Sequence, residues 1–66
     1  MASYRIYRLG ADGRLLLGET FEAADDAAAV ARAGAQHRTG VAAELWAGGR
    51  IVGRFSKLGV FTPGAG

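Results

Sequence analysis

Apolar and polar residues alternate in two pairs of short segments, which flank one alanine-rich segment. Residues 3–9 and 14–21 are separated by Gly-Ala-Asp-Gly, and residues 41–46 and 50–55 by Ala-Gly-Gly. Alternation with a period of two is typical of β-strands, and glycine-containing turns of this length connect antiparallel strands. The pattern predicts two β-hairpins.

The alanine-rich segment between the hairpins, residues 21–40, has the length and the end signals of a helix. Asp25 and Asp26 near its start oppose the positive end of the helix dipole, and Gly40 is a natural left-handed stop past its end. At 100° per residue, one side of the helix is a stripe of small residues. This stripe contains Ala27, Val30, Ala31 and Gly34. We expect it to lie on a sheet whose own side chains supply most of the core volume, with a bulky group close to Gly34.

These elements predict a single α+β domain over residues 1–57, in the order ββαββ, with a four-stranded antiparallel sheet and one helix on one face. A strand order of 2-1-3-4 makes every neighbouring pair antiparallel. Residues 58–66 are predicted to be a tail that can be ordered at residues 58–61. There, Leu58, Val60 and Phe61 can form a short extra strand, pack across the sheet edge or contact a partner chain.

The hairpin register decides which side chains share a face of the sheet. With three-residue loops, and with Gly13 and Gly49 in the left-handed conformation, one set faces the helix. That set is Tyr7, Leu9, Leu15, Leu17, Leu45, Ile51 and Phe55. The opposite face is then apolar and basic, and monomers rarely expose so large an apolar surface. We predict an interaction face there, formed by Tyr4, Ile6, Arg8, Leu16, Trp46, Arg50, Val52 and Arg54. A two-residue loop in the second hairpin is the alternative, and it mixes apolar and charged residues on both faces.

Length and composition exclude several classes of site. A chain of 66 residues buries only about 60% of its unfolded surface, so a partner chain would add stability. The chain has no cysteine and a single histidine, which argues against disulfides and against a metal site, and we expect no metal and no cofactor. No apolar run resembles a signal peptide or approaches the roughly 20 residues that cross a bilayer. We therefore expect a cytoplasmic protein that does not associate with membranes.

The residues that could carry catalysis lack a recognisable arrangement. His37 is the first candidate for acid–base chemistry, but no partner for it is visible in the sequence. Asp25 and Asp26 point about 100° apart on a helix, where carboxylates favour the first turn in any case. The glycines at 10 and 13 close a hairpin and open no helix, so they do not form a phosphate-binding loop. We therefore predict that the chain is not an enzyme.

Two kinds of binding remain. The first is self-association as a homodimer through the open sheet face or an edge strand, with Trp46 and Tyr4 as buried anchors. The alternative is weak binding of single-stranded nucleic acid, in which bases stack on Trp46 beside arginines. A net charge of +2 is too small to require nucleic acid, and Glu44 in the middle of the face opposes it. Contact with another protein or with a small ligand also stays open.

Five short segments carry a resemblance: YRIYRL at 4–9, DGR at 12–14, DDAAA at 25–29, ELW at 44–46 and GGRIV at 48–52. Together with the bias towards Ala, Gly and Arg, they resemble short hypothetical proteins of proteobacteria with GC-rich genomes. The resemblance covers most of the chain up to Phe55. It implies a bacterial, cytoplasmic origin and no particular activity or mechanism.

Overall fold

The two hairpins and the helix form, and a fifth strand follows them. The computed structural model describes residues 1–10, 12–37 and 40–64, with the backbone alone of Leu17. Its elements are β1 (Ala2–Leu9), β2 (Leu15–Ala23), α1 (Asp26–Ala35), β3 (Ala43–Ala47), β4 (Arg50–Phe55) and β5 (Phe61–Pro63). The α+β class with one helix is confirmed. The four-stranded ββαββ arrangement is wrong, because the described chain continues as ββαβββ.

All strands join one antiparallel sheet in the order β2-β1-β3-β4-β5, so the expected order of the first four is found. Of the three alternatives for the tail, the extra strand forms. Gly53 makes this possible, because a Cβ there would collide with the Phe61 ring and lie 2.6 Å from the Thr62 carbonyl oxygen. Leu58 and Val60 precede β5 and stay 84% and 62% exposed.

The helix is shorter than predicted and is rotated about its axis. Asp25 is the N-cap and accepts a hydrogen bond from the Ala28 N–H at 2.8 Å. The helix ends at Ala35, several residues before Gly40. Its buried residues are Ala29 and Ala33, with Val30 half-buried against the core, whereas Ala27, Ala31 and Gly34 are exposed. This rotation turns Asp26 of the first turn towards the sheet, where its carboxylate accepts a hydrogen bond from the Tyr4 hydroxyl.

The predicted faces of the first hairpin are reversed, and a bulge shifts the second half of β2. Leu9 pairs with Leu15 and Tyr7 with Leu17, as expected. Gly18 is then an extra residue on β2, so that Tyr4 pairs with Phe21. This shift moves Phe21 to the face of the sheet that carries Tyr4 and Ile6, which is the face that the helix covers, and the rings of Tyr4 and Phe21 stack there with centroids 5.8 Å apart.

A second bulge corrects the predicted register of the second hairpin. Ala47 pairs with Arg50 across a two-residue loop, and Gly48 rather than Gly49 adopts a positive φ, of 59°. Val52 is then the extra residue between the pairs Trp46–Ile51 and Leu45–Gly53. The bulge turns Val52 towards the core and leaves Ile51 on the other face.

The core lies between α1 and one face of the sheet, and its members are Tyr4, Ile6, Phe21, Ala23, Ala29, Ala33, Ala43, Leu45 and Phe55. Of the residues predicted to face the helix, only Leu45 and Phe55 belong to it. Tyr7 and Ile51 lie on the opposite face, Leu9 is half-buried and Leu15 is 48% exposed. The side chain of Leu17 lies outside the described part of the structure.

Candidate functional site

The predicted interaction face does not form as one surface. Tyr4 and Ile6 are core residues, only 2% and 4% exposed. Arg8 and Leu16 pair with each other on the helix side, at the far end of the first hairpin. Arg50 also reaches the helix side, where it binds Asp26, and Val52 packs against the core. Only Trp46 and Arg54 share the face that the helix leaves uncovered.

The surface opposite the helix is hereafter called the open face. β1 contributes Arg5 and Tyr7, β3 contributes Glu44 and Trp46, and β4 contributes Ile51 and Arg54. Arg5 lies opposite Trp46, and Tyr7 opposite Glu44, across the β1–β3 pair. Glu44 lies opposite Arg54, and Trp46 opposite Ile51, across the β3–β4 pair. Directly opposed side chains are close neighbours, so these six form one continuous patch over the three inner strands.

Glu44 is the centre of a hydrogen-bonded group on this face. Its Oε1 accepts a hydrogen bond from the Trp46 indole Nε1 at 3.1 Å, and its Oε2 lies 3.3 Å from Nε of Arg54. Glu44 is only 9% exposed, although no element in the described part of the chain crosses the open face. The neighbouring side chains therefore cover the carboxylate themselves. The indole is held in one orientation, and both carboxylate oxygens have a partner.

Sequence reasoning missed Arg5, Tyr7 and Ile51 as members of this patch. The face of Ile51 depends on the bulge at Val52, because a one-residue shift exchanges the two sides of a strand. The face of Arg5 and Tyr7 depends on the pairing of β1 with β3, which no local turn specifies. Gly18 was a signal for β2 alone, since a glycine within an otherwise regular strand often marks a bulge.

A second polar cluster lies on the helix side and has a structural role. Asp26 accepts a hydrogen bond from the Tyr4 hydroxyl at 2.9 Å, and its two oxygens accept from both terminal nitrogens of Arg50 at 2.9 and 3.1 Å. The bonds from Arg50 and then Tyr4 lower the pKa of Asp26. Burial, followed by the bond to Asp26, raises the pKa of Tyr4, and the same carboxylate raises the pKa of Arg50. These contacts join α1 to β1 and β4.

His37 lies just after the helix, against the core and away from the open face. Its ring centroid is 5.9 Å from that of Phe55, and its Nε2 is buried without a hydrogen-bond partner among the described residues. The cavity beside it has a volume of about 10 Å³, which is too small for a substrate. Within the described ranges, no three His, Cys, Asp or Glu side chains converge as a metal site would require.

Comparisons with protein-family models, curated proteins and solved structures found no match to this chain. Within the described residues, no helix has the length and apolar character needed to cross a membrane. The open face is therefore interpreted from its own residues.

Proposed function

We propose that this chain is a small non-enzymatic interaction domain that associates with a second copy of itself through the open face. The observation that carries the proposal is the placement of Trp46, Tyr7 and Ile51 on three adjacent strands, facing away from the helix. Large aromatic residues are enriched at the centres of protein interfaces, where they contribute most of the binding energy. Trp46 is the proposed anchor.

The charges of the open face support a second copy as the partner. Arg54 is paired with Glu44, and Arg5 belongs to the same strand pair as the exposed Glu22 of β2. The face thus carries two cations and two carboxylates, and it is close to neutral. Two such faces related by a two-fold axis can meet without net repulsion, and the self-complementary interface of a homodimer requires this.

The dimensions of the face set the scale of an interface that it could form. Five strands spaced about 4.8 Å apart span about 19 Å from the first to the last, and the eight residues of β1 extend over about 26 Å. A standard interface takes about 800 Å² from each partner. That area is about a fifth of the 4244 Å² accessible surface of the chain.

Pairing through an edge strand is the competing geometry for self-association. β5 has three residues and contains Pro63, whereas β2 has nine residues and no proline, so β2 is the edge more open to another strand. Edge pairing would leave the environment of Trp46 unchanged. The open face is preferred because it alone accounts for the aromatic residues on the inner strands.

Sedimentation velocity on the 66-residue chain, from about 10 to 500 µM, tests the proposal over the usual range of weak association. We expect a dimer whose population rises with concentration and is accompanied by a blue shift of Trp46 fluorescence. Trp46→Ala should shift the equilibrium to monomer, and Tyr7→Ser tests the same face if that variant fails to fold. Leu58→Ala is the matched control, because Leu58 is 84% exposed and lies off the face. A monomer at every concentration, or a dimer indifferent to both variants, would remove the proposal.

A second candidate, binding of single-stranded nucleic acid, gains support from the position of Glu44. The carboxylate is covered and ion-paired, so the groups that face outwards include Arg5, Arg54 and the rings of Tyr7 and Trp46. Aromatic rings and arginines on one sheet face can stack bases and contact phosphates. Short fluorescent DNA and RNA strands should then bind at low salt, and affinity should fall as salt rises. An isotherm unaffected by Arg5→Gln and Arg54→Gln would contradict this candidate.

A further inference from the structure

The helix leaves the far end of the first hairpin uncovered on its own side of the sheet. Ten helical residues extend over about 15 Å, whereas the nine residues of β2 extend over about 30 Å. Beyond the helix, a groove of about 550 Å³ lies between the hairpin end, the loop before β3 and the turn after β4. Its lining includes Arg8, Gly10, Leu16, Val41 and Lys57.

The groove combines an apolar lining with two cations. Leu16 and Val41 supply the apolar surface. Leu16 is 59% exposed, and Arg8, which lies opposite it on β1, is half-buried. Arg8 and Lys57 supply the positive charge. A volume of this size, mostly apolar with a few converging polar groups, is typical of a small-molecule site.

Neither cation has a carboxylate partner among the described residues. The salt bridges found there use Arg14, Arg50 and Arg54. Arg32 of α1 lies over the Phe21 ring, with its guanidinium carbon 4.9 Å from the ring centroid. Glu19, on the helix side of β2, accepts a hydrogen bond from the side-chain amide nitrogen of Gln36, in the amide orientation that satisfies both side chains.

The Arg8 guanidinium lies against the bulge at Gly18. A Cβ at Gly18 would collide with Nη1 of Arg8, so the guanidinium occupies the space that the missing side chain leaves. The planar guanidinium of an arginine can bind both oxygens of a carboxylate. Arg8 therefore suits a planar anion.

We propose that this groove binds a small organic carboxylate with an apolar chain. The carboxylate lies between Arg8 and Lys57, and the chain packs on Leu16 and Val41. Two cations offset one anionic head group, while the greater part of the contact is apolar. The groove is on the helix side of the sheet, so this proposal and the self-association of the open face stand or fall separately.

Titration of the ¹⁵N-labelled chain with octanoate, followed by amide chemical shifts, tests the proposal. We expect saturable shifts at Gly10, Leu16 and Val41, with weaker binding by at least about tenfold for acetate, which lacks the chain, and for octanol, which lacks the charge. Octyl phosphate tests the choice of head group. Equal affinity for octanol and octanoate, phosphate binding tighter than carboxylate binding, or shifts confined to the open face would overturn the proposal.

Three variants make the test specific to the groove. Arg8→Gln and Lys57→Gln should each weaken octanoate binding by roughly tenfold, as expected for the loss of one charge-assisted contact. Arg14→Gln is the matched control, because Arg14 is an exposed cation near the same hairpin end that pairs with Asp12 at 3.4 Å. If Arg8→Gln does not fold, Lys57→Gln decides, since Lys57 is exposed in a turn. Unchanged affinity in the folded variants, or an equal loss in Arg14→Gln, would contradict the assignment.

Discussion

Asp26 is the residue on which the orientation of the helix depends. It is in the first turn, and its carboxylate binds a tyrosine of β1 and an arginine of β4 at the same time. Carboxylates in a first turn also oppose the helix dipole, so the same charge serves two purposes. The sequence predicted the dipole role, but not the contact with the sheet, because Tyr4 and Arg50 are more than 20 residues away.

The lowered pKa of Asp26 predicts a loss of stability in acid. Its folded-state pKa lies below the unfolded value of 3.8, so the ionised carboxylate stabilises the fold above that value, and the stabilisation is lost as the pH falls through the folded-state pKa. Thermal unfolding followed by circular dichroism from pH 7 to about pH 2 should show this loss. Asp26→Asn should lower the melting temperature at pH 7 and should make the melting temperature fall less as the pH is lowered.

Glu22→Gln is the control for that experiment, since it neutralises an exposed carboxylate on the opposite side of the sheet. It should change the acid limb much less than Asp26→Asn. If the melting temperature of Asp26→Asn depends on pH as that of the wild type does, other carboxylates govern acid unfolding.

At the scale of elements, the glycines of the strands determine the architecture more than the helix does. Gly18 allows the bulge that turns Phe21 inwards beside Tyr4, and Gly53 leaves room for Phe61 and hence for β5. In contrast, Gly34 of α1 has no such role. A Cβ at Gly34 would lie 3.6 Å from Cε1 of Phe55, which is an ordinary contact.

Alanine at Gly34 and at Gly53 should therefore have opposite effects on stability. Gly34→Ala should raise the free energy of unfolding by about 0.5–1 kcal/mol, because alanine favours the helix and its methyl fits beside Phe55. Gly53→Ala should lower it by about 1–3 kcal/mol, because the methyl overlaps Phe61 and Thr62. Urea denaturation of both variants measures the difference. A stabilised Gly53→Ala would mean that β5 is not packed against β4 as described.

These glycines also explain how far the fold could be read from the sequence. The class, both hairpins, the single helix and the order of the first four strands follow from alternation, turn residues and the two aspartates near the helix start. The faces do not, because Gly18 and the bulge at Val52 each shift a strand by one residue. The predicted face also included Tyr4 and Ile6, which are core residues, and omitted Arg5 and Tyr7, because no turn residue specifies the β1–β3 pairing that places Ile6 opposite Leu45. Trp46 and Arg54 were placed correctly because both lie outside the shifted part of their hairpin.

At the scale of the whole molecule, the core is small for the surface that it must hold together. Four of its nine buried apolar residues are alanines: Ala23, Ala29, Ala33 and Ala43. Burial contributes about 25 cal/mol for each Å² of apolar area, and alanine offers little area. Tyr4, Phe21 and Phe55 supply much of the volume from one side of the sheet. Burying Trp46, Tyr7 and Ile51 between two copies would add a second apolar layer, on the face of the sheet opposite the core.

If association adds that second layer, the melting temperature of the chain should depend on its concentration. When unfolding is coupled to dissociation of the dimer, the free energy of unfolding changes by RT ln 10 for each tenfold change in concentration. With an unfolding entropy of about 2.1 cal/mol/K per residue over two 66-residue chains, this change corresponds to about 5 °C in melting temperature. Scanning calorimetry of the wild type across a hundredfold range should therefore show a rise of about 10 °C. Trp46→Ala should melt at one temperature throughout, whereas Leu58→Ala should follow the wild type. A wild-type melting temperature independent of concentration would show that the fold is complete in the monomer.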